Sequence, residues 1–80
     1  MNKKEVYEEL EKDWDLFSMS DESVKNIYCG ISGLDIEEHQ TIIDLKEYLL
    51  SFALEQIIHD GDLSITLATE IEGEILEKWK

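Results

Sequence analysis

Nucleophilic and metal chemistry in this 80-residue chain would have to draw on Cys29, His39 and His59. Nucleophilic catalysis needs a thiol or hydroxyl beside a base that a third group orients. Cys29 stands among Ile27, Tyr28 and Ile31, the setting of a small core residue rather than an activated thiol. His39 and His59 lie twenty residues apart on what reads as one helix, so they would point about 200° from each other and share no ion. Glu55 and His59, at i and i+4, supply half a metal site at most. Asp60-Gly61-Asp62 resembles the opening of a calcium loop. Counted from Asp60, an EF-hand requires glycine sixth and glutamate twelfth; Ile65 and Ile71 occupy those places. The expectation is a non-enzyme with no catalytic, metal or cofactor site.

The carboxylates are the informative residues. Twenty Asp and Glu face seven lysines, a net charge of −13. Five lysines sit near the ends (Lys3, Lys4, Lys12, Lys78, Lys80); residues 13–77 hold sixteen acids against Lys25 and Lys46, a net of −14. Charge of one sign at this density costs stability through self-repulsion. It disfavours direct contact with nucleic acid or an anionic membrane, since both require cationic surface. A basic protein surface would be attracted. A lone cysteine fits a reducing compartment, the first fifteen residues hold no apolar signal segment, and no run approaches the ~20 apolar residues of a membrane span; the expected location is the cytoplasm.

Residues 1–80 read as one domain, with a composition that is 42% hydrophobic and clearly patterned. Val6, Tyr7, Leu10, Trp14 and Phe17 recur at helical spacing and predict a first helix from about Lys3 to Phe17, with a stripe about 100° wide. Ser20 caps a second helix, with Asp21 and Glu22 in its first turn. Val24, Ile27, Tyr28 and Ile31 form its inner face, and Gly30 or Gly33 ends it. Asp35, with Glu38 three residues on, predicts the capping box of a third helix running to about His59. Its apolar set, from Ile36 through Ile42, Ile43, Leu45, Tyr48 and Leu49 to Ile57, covers more than half the circumference, the mark of a buried central helix. His39 projects onto that apolar face; Glu37, Asp44, Glu47, Ser51 and Glu55 make its polar strip.

The stretch "SITLATEIEGEIL" (64–76) is ambiguous. As a strand it would line Glu70, Glu72 and Glu74 along one face about 6.8 Å apart, close to the spacing of phosphates on a nucleic-acid strand. As a helix it groups Glu70, Glu74 and Glu77 instead. The lack of a good partner strand and the helical propensity of its tail favour the helix. The expected fold is therefore all-α, a small four-helix bundle around a buried third helix; the alternative is α+β with a strand at about 63–72. Acyl carrier proteins are also short, acidic and four-helical, but they present serine in an Asp-Ser-Leu context. Here "DLS" at 62–64 has the wrong order and position, so a carrier is not expected.

Two functions fit. The first is an acidic inhibitor or antidote whose carboxylates stand in for phosphates against a basic, nucleic-acid-binding protein. It would act either against a defence complex, as anti-restriction and anti-CRISPR proteins of phages do, or as an immunity protein against a nuclease. Its expected contact residues are Glu37, Asp44, Glu47 and Glu55 on the third helix and Glu70, Glu74 and Glu77 on the fourth. Asp13, Asp15, Asp21 and Glu22 around the first turn extend the face. The second is a helical interaction or assembly module, a homodimer among its forms, that binds through apolar surface left over from the third helix. Trp79 either caps the bundle end or, if exposed, anchors a partner.

Overall fold

Short polar side chains start every helix. The structure, a computed structural model, describes residues 1–61 and 63–80. In the first helix, α1 (Lys3–Lys12), the Asn2 side chain accepts the Glu5 N–H while the Glu5 carboxylate accepts that of Asn2, a reciprocal capping box. Ser20 caps α2 (Asp21–Ser32), its hydroxyl accepting the Ser23 N–H. Thr41 caps α3 (Ile42–His59) and Ser64 caps α4 (Ile65–Trp79), each accepting from the third residue of its helix. Each such cap satisfies an end N–H that would otherwise lack a partner and contributes about 1 kcal/mol.

The fold is all-α: four helices, with no strand among the described residues. Residues 64–76 are helical from Ile65 onward. The strand alternation in that stretch is broken by the burial pattern. Ile71 and Ile75, four apart, are buried with Ala68, whereas Ile65 is 72% exposed. The Thr69 hydroxyl donates to the Ile65 carbonyl, which absorbs its tendency to compete with the helix. The Glu70–Glu72–Glu74 ladder therefore does not exist.

α3 is the hub. Leu45, Leu49, Leu50, Ala53, Leu54 and Ile57 are buried along it, spanning about 180° of the helix. Two neighbours fit so wide a face: α2 packs on one side and α4 on the other. α1 lays Val6 and Leu10, both fully buried, into the same core. Aromatic contacts close the remaining seams. Tyr28 meets Tyr48 edge-on at 5.0 Å, and Trp14 meets Phe52 edge-on at 5.8 Å between ring centres.

Two boundaries differ from expectation, the end of α1 and the start of α3, while α2 ends at one of the two glycines expected. α1 stops at Lys12 instead of Phe17. Asp15 adopts a positive φ of 50°, and the Leu16 N–H turns back onto the Leu10 carbonyl. That reversal sends Leu16 into the core and leaves Phe17 38% exposed. α2 ends at Gly33, whose φ of 70° is the left-handed conformation that glycine tolerates; Ile27, expected inside, is 39% exposed. α3 starts at Ile42, not near Asp35. Its capping box is Thr41 with Asp44, and Asp35, Ile36, Glu37, Glu38 and His39 belong to the connection before it.

Candidate functional site

The acids of α3 form a ridge. Asp44, Glu47, Ser51 and Glu55 fall within about 80° of arc, and the ridge is about 16 Å long. Asp44 and Glu55 are exposed and Glu47 is partly so. Asp44 also has a structural task, since its carboxylate accepts the Thr41 N–H at 2.9 Å. Hydrogen bonds from the Thr41 backbone and then its side chain, with the nearby His39 adding a smaller effect, hold the Asp44 carboxyl below its ordinary value of 3.8.

Glu37 does not lie on α3. It sits in the 33–41 connection, where its N–H donates to Gln40 Oε1 at 2.9 Å and its carbonyl accepts the Gln40 N–H. Gln40 is tied in turn to the Tyr28 hydroxyl at 3.3 Å, so α2 anchors this connection. His39, expected on the apolar face of α3, is exposed in the same connection, its Nδ1 3.4 Å from a Glu37 carboxylate oxygen. Glu37 therefore stands in the connection that precedes α3, paired with His39. On α3 itself the ridge runs from Asp44 through Glu47 to Glu55. At Glu55 it meets an open groove of about 670 Å³, lined also by Gln56, Ile58, His59 and Ile65.

The α4 acids do not join this ridge. Glu70 and Glu74 grip Lys3 of α1, at 3.1 and 2.7 Å. The Tyr7 hydroxyl donates to the other oxygen of Glu74 at 3.0 Å. Lys3 and Tyr7 hold the Glu74 carboxyl below its ordinary value of 4.5; Glu74 and Glu70 raise Lys3 above 10.5. The flank of α4 that meets α3 is marked by Ile65, beside Ile58 and His59, and by Trp79, which lies under the Lys46 ammonium. Those residues sit about 140–180° around α4 from Glu74 and Glu70. The expected continuous face from α3 to Glu70, Glu74 and Glu77 is thus split: Glu70 and Glu74 turn to α1, and Glu77 projects on their side.

Asp13, Asp15, Asp21 and Glu22 are all exposed around the α1–α2 connection. Asp13 follows the last turn of α1, while Asp21 and Glu22 occupy the first turn of α2, where the helix dipole favours them. Trp79 is half-buried between the Phe17 ring, 6.4 Å away, and Lys46, 5.7 Å from the indole centre. It caps the end of the bundle. Lys3 and Tyr7 are the residues that sequence reasoning missed; their partners lie 67–71 positions away, and no local pattern announces them.

Among the described residues, no group of three or more His, Cys, Asp or Glu is placed to hold a metal ion. The Asp60-Gly61-Asp62 stretch lies partly outside the described residues, at Asp62. No helix is long and apolar enough to cross a membrane. Compared with protein-family models, with curated proteins and with solved structures, the chain matches none of them.

Proposed function

We propose that this protein is a non-enzymatic acidic inhibitor that occludes a basic, nucleic-acid-binding protein. Its α3 ridge (Asp44, Glu47, Glu55), with Glu37 of the preceding connection, presents carboxylates to lysines and arginines that otherwise hold phosphates. One observation carries the reading. Twenty acids face seven lysines, yet among the described residues lysine–carboxylate ion pairs are confined to Lys3 with Glu70 and Glu74. A domain under selection for stability alone gains nothing from so much uncompensated like charge. A partner of opposite sign converts that cost into fast, steered association.

Glu70 and Glu74 are partly neutralised by Lys3 and contribute less than the α3 ridge. Glu77, Asp13, Asp15, Asp21 and Glu22 extend the field around it. The two biological settings, a block on a defence nuclease complex and an antidote to a nuclease toxin, share this mechanism.

The test is capture from a lysate of the source cell on the immobilised protein, followed by elution in a salt gradient. Specific retention of a nucleic-acid-binding protein is expected, with release at moderate salt and loss of retention in the Glu47→Lys/Glu55→Lys variant. Retention of no such protein, or retention indifferent to both salt and the double reversal, sinks the proposal.

A further inference from the structure

The acidic ridge of α3 ends on apolar surface. Asp44, Glu47, Ser51, Glu55 and Ile58 recur at spacings of three, four, four and three, so Ile58 falls within the same arc of about 80° as the acids. Ile58 is half-buried against the core. On the α4 side of the same groove stands Ile65, the first residue of that helix. At 72% it is the most exposed large apolar side chain among the described residues. Glu55, Gln56 and His59, all exposed, complete the lining of this open groove of about 670 Å³.

We infer that this groove seats an arginine of the basic partner together with an apolar neighbour. The arginine stem and the neighbour lie over Ile58 and Ile65, and the guanidinium reaches Glu55. The inference rests on the reading of the α3 ridge as a face for a basic protein, and it gives that face an anchor point.

Charge selects the occupant. Among the described residues, lysine–carboxylate ion pairs are confined to Lys3 with Glu70 and Glu74, so no lysine of the chain answers Glu55. Lys46, the one lysine of α3, lies about 180° around that helix from Glu55 and sits over the Trp79 ring. A purely apolar ligand would strip water from the Glu55 carboxylate and replace it with nothing, which is costly. An anion, or a second copy with its own net charge of −13, meets like charge. Arginine matches both halves of the lining. Its hydrocarbon stem covers apolar surface, and its weakly hydrated guanidinium can bridge both oxygens of one carboxylate. The Gln56 amide oxygen offers a further acceptor.

Two acetylated, amidated peptides of equal charge, Arg-Leu-Arg-Leu-Arg and Arg-Gly-Arg-Gly-Arg, test this when titrated into the isotope-labelled full chain at low salt. Amide chemical shifts report each residue separately. The leucine peptide is expected to move the amides of Glu55–His59 and Ile65 most. It should bind roughly tenfold tighter than the glycine peptide, the share that partial burial of a leucine contributes. Ile65→Ser is expected to remove that advantage with the helical circular dichroism unchanged, since Ile65 is open in the single chain. Glu55→Gln should weaken the leucine peptide several-fold more than Glu8→Gln, the same charge change at an exposed site on α1. Equal affinity for the two peptides, or shifts spread evenly over the acidic surface, overturns the anchor and leaves the ridge reading standing. Failure of both peptides to bind overturns the anchor and counts against the ridge as well. Groove shifts produced by Glu-Leu-Glu-Leu-Glu, or by raising the protein concentration alone, assign the groove to an anion or a second copy and overturn the inference too.

Discussion

The Lys3 ammonium lies 2.7 Å from a carboxylate oxygen of Glu74, 71 residues further along the chain. It also reaches Glu70 at 3.1 Å, and Tyr7, one turn on, donates to the second oxygen of Glu74. The contact fastens the first turn of α1 to the middle of α4. It also explains why two of the acids expected on a binding face are committed elsewhere. A single cation set among so many carboxylates is favoured both by its two direct partners and by the field of the whole domain.

Replacing Lys3 with methionine is therefore expected to lower the thermal midpoint by about 2–5 °C in low salt, a modest loss because the pair is at the surface. The gap from the parent protein should close as salt screens both the lost pair and the residual repulsion. Thermal denaturation followed by circular dichroism at two ionic strengths checks this. A gap that does not change with salt would mean that Lys3 acts through packing of its stem, not through its charge.

Stability should fall off on both the acid and the alkaline side, for separate reasons. Asp44 and Glu74 have folded values below their ordinary 3.8 and 4.5. Their stabilisation is therefore fully present above those values and lost as pH falls through the lower folded ones. Tyr7 is raised above 10.0, first by burial and then by its bond to Glu74, and Lys3 is raised above 10.5. Their contributions are present below those values and lost as pH climbs through the higher folded ones. A midpoint series from pH 2 to 11 on the parent, Asp44→Asn and Tyr7→Phe separates the limbs. Asp44→Asn should weaken the acid fall, and Tyr7→Phe the alkaline one.

Two acids of the α3 ridge should behave oppositely to Glu74. Glu47 and Glu55 make no ion pair among the described residues, so neutralising both as glutamines removes repulsion without breaking a contact. A rise in thermal midpoint of about 1–3 °C at low salt is expected, vanishing at high salt. Glu74→Gln, which loses part of the Lys3 and Tyr7 contacts, should lower it under the same conditions. Equal rises for all three substitutions would show that the Lys3 clamp contributes nothing beyond mean charge.

The number and order of helices were legible because each carries a strong local signal. Ser20 with Asp21 and Glu22 marks the head of α2, and Gly33 its end. The breadth of apolar residues on α3 made it central, and six of them are buried. The misread boundaries share one cause: a local pattern continued past a point where the backbone turned. Trp14 and Phe17 keep the period of α1, but Asp15 takes a positive φ and Leu16 enters the core in Phe17's place. Asp35 with Glu38 mimics a capping box as well as Thr41 with Asp44 does. The segment from Asp35 instead forms a connection that Gln40 ties to the Glu37 N–H and to the Tyr28 hydroxyl, contacts that no local pattern announces. The acidic ridge was half legible. Asp44, Glu47 and Glu55 follow from the period of one helix, whereas the diversion of Glu70 and Glu74 depends on a lysine at the far end of the sequence.

Two glycines with opposite roles provide the last test. Gly73 lies in the interior of α4, is exposed, and a Cβ there would meet nothing within 4 Å. Gly73→Ala is expected to raise unfolding stability by about 1 kcal/mol through helix propensity alone. Gly33 also has open space around it, but its φ is 70°. An alanine there must adopt the left-handed conformation or unwind the end of α2, and a loss of about 1 kcal/mol is expected. Urea unfolding with an unchanged dependence on denaturant measures both. The signs matter more than the sizes, since neither site is crowded and only backbone conformation separates them. A gain at Gly33 would mean that α2 does not end in the left-handed turn that opens the 33–41 connection.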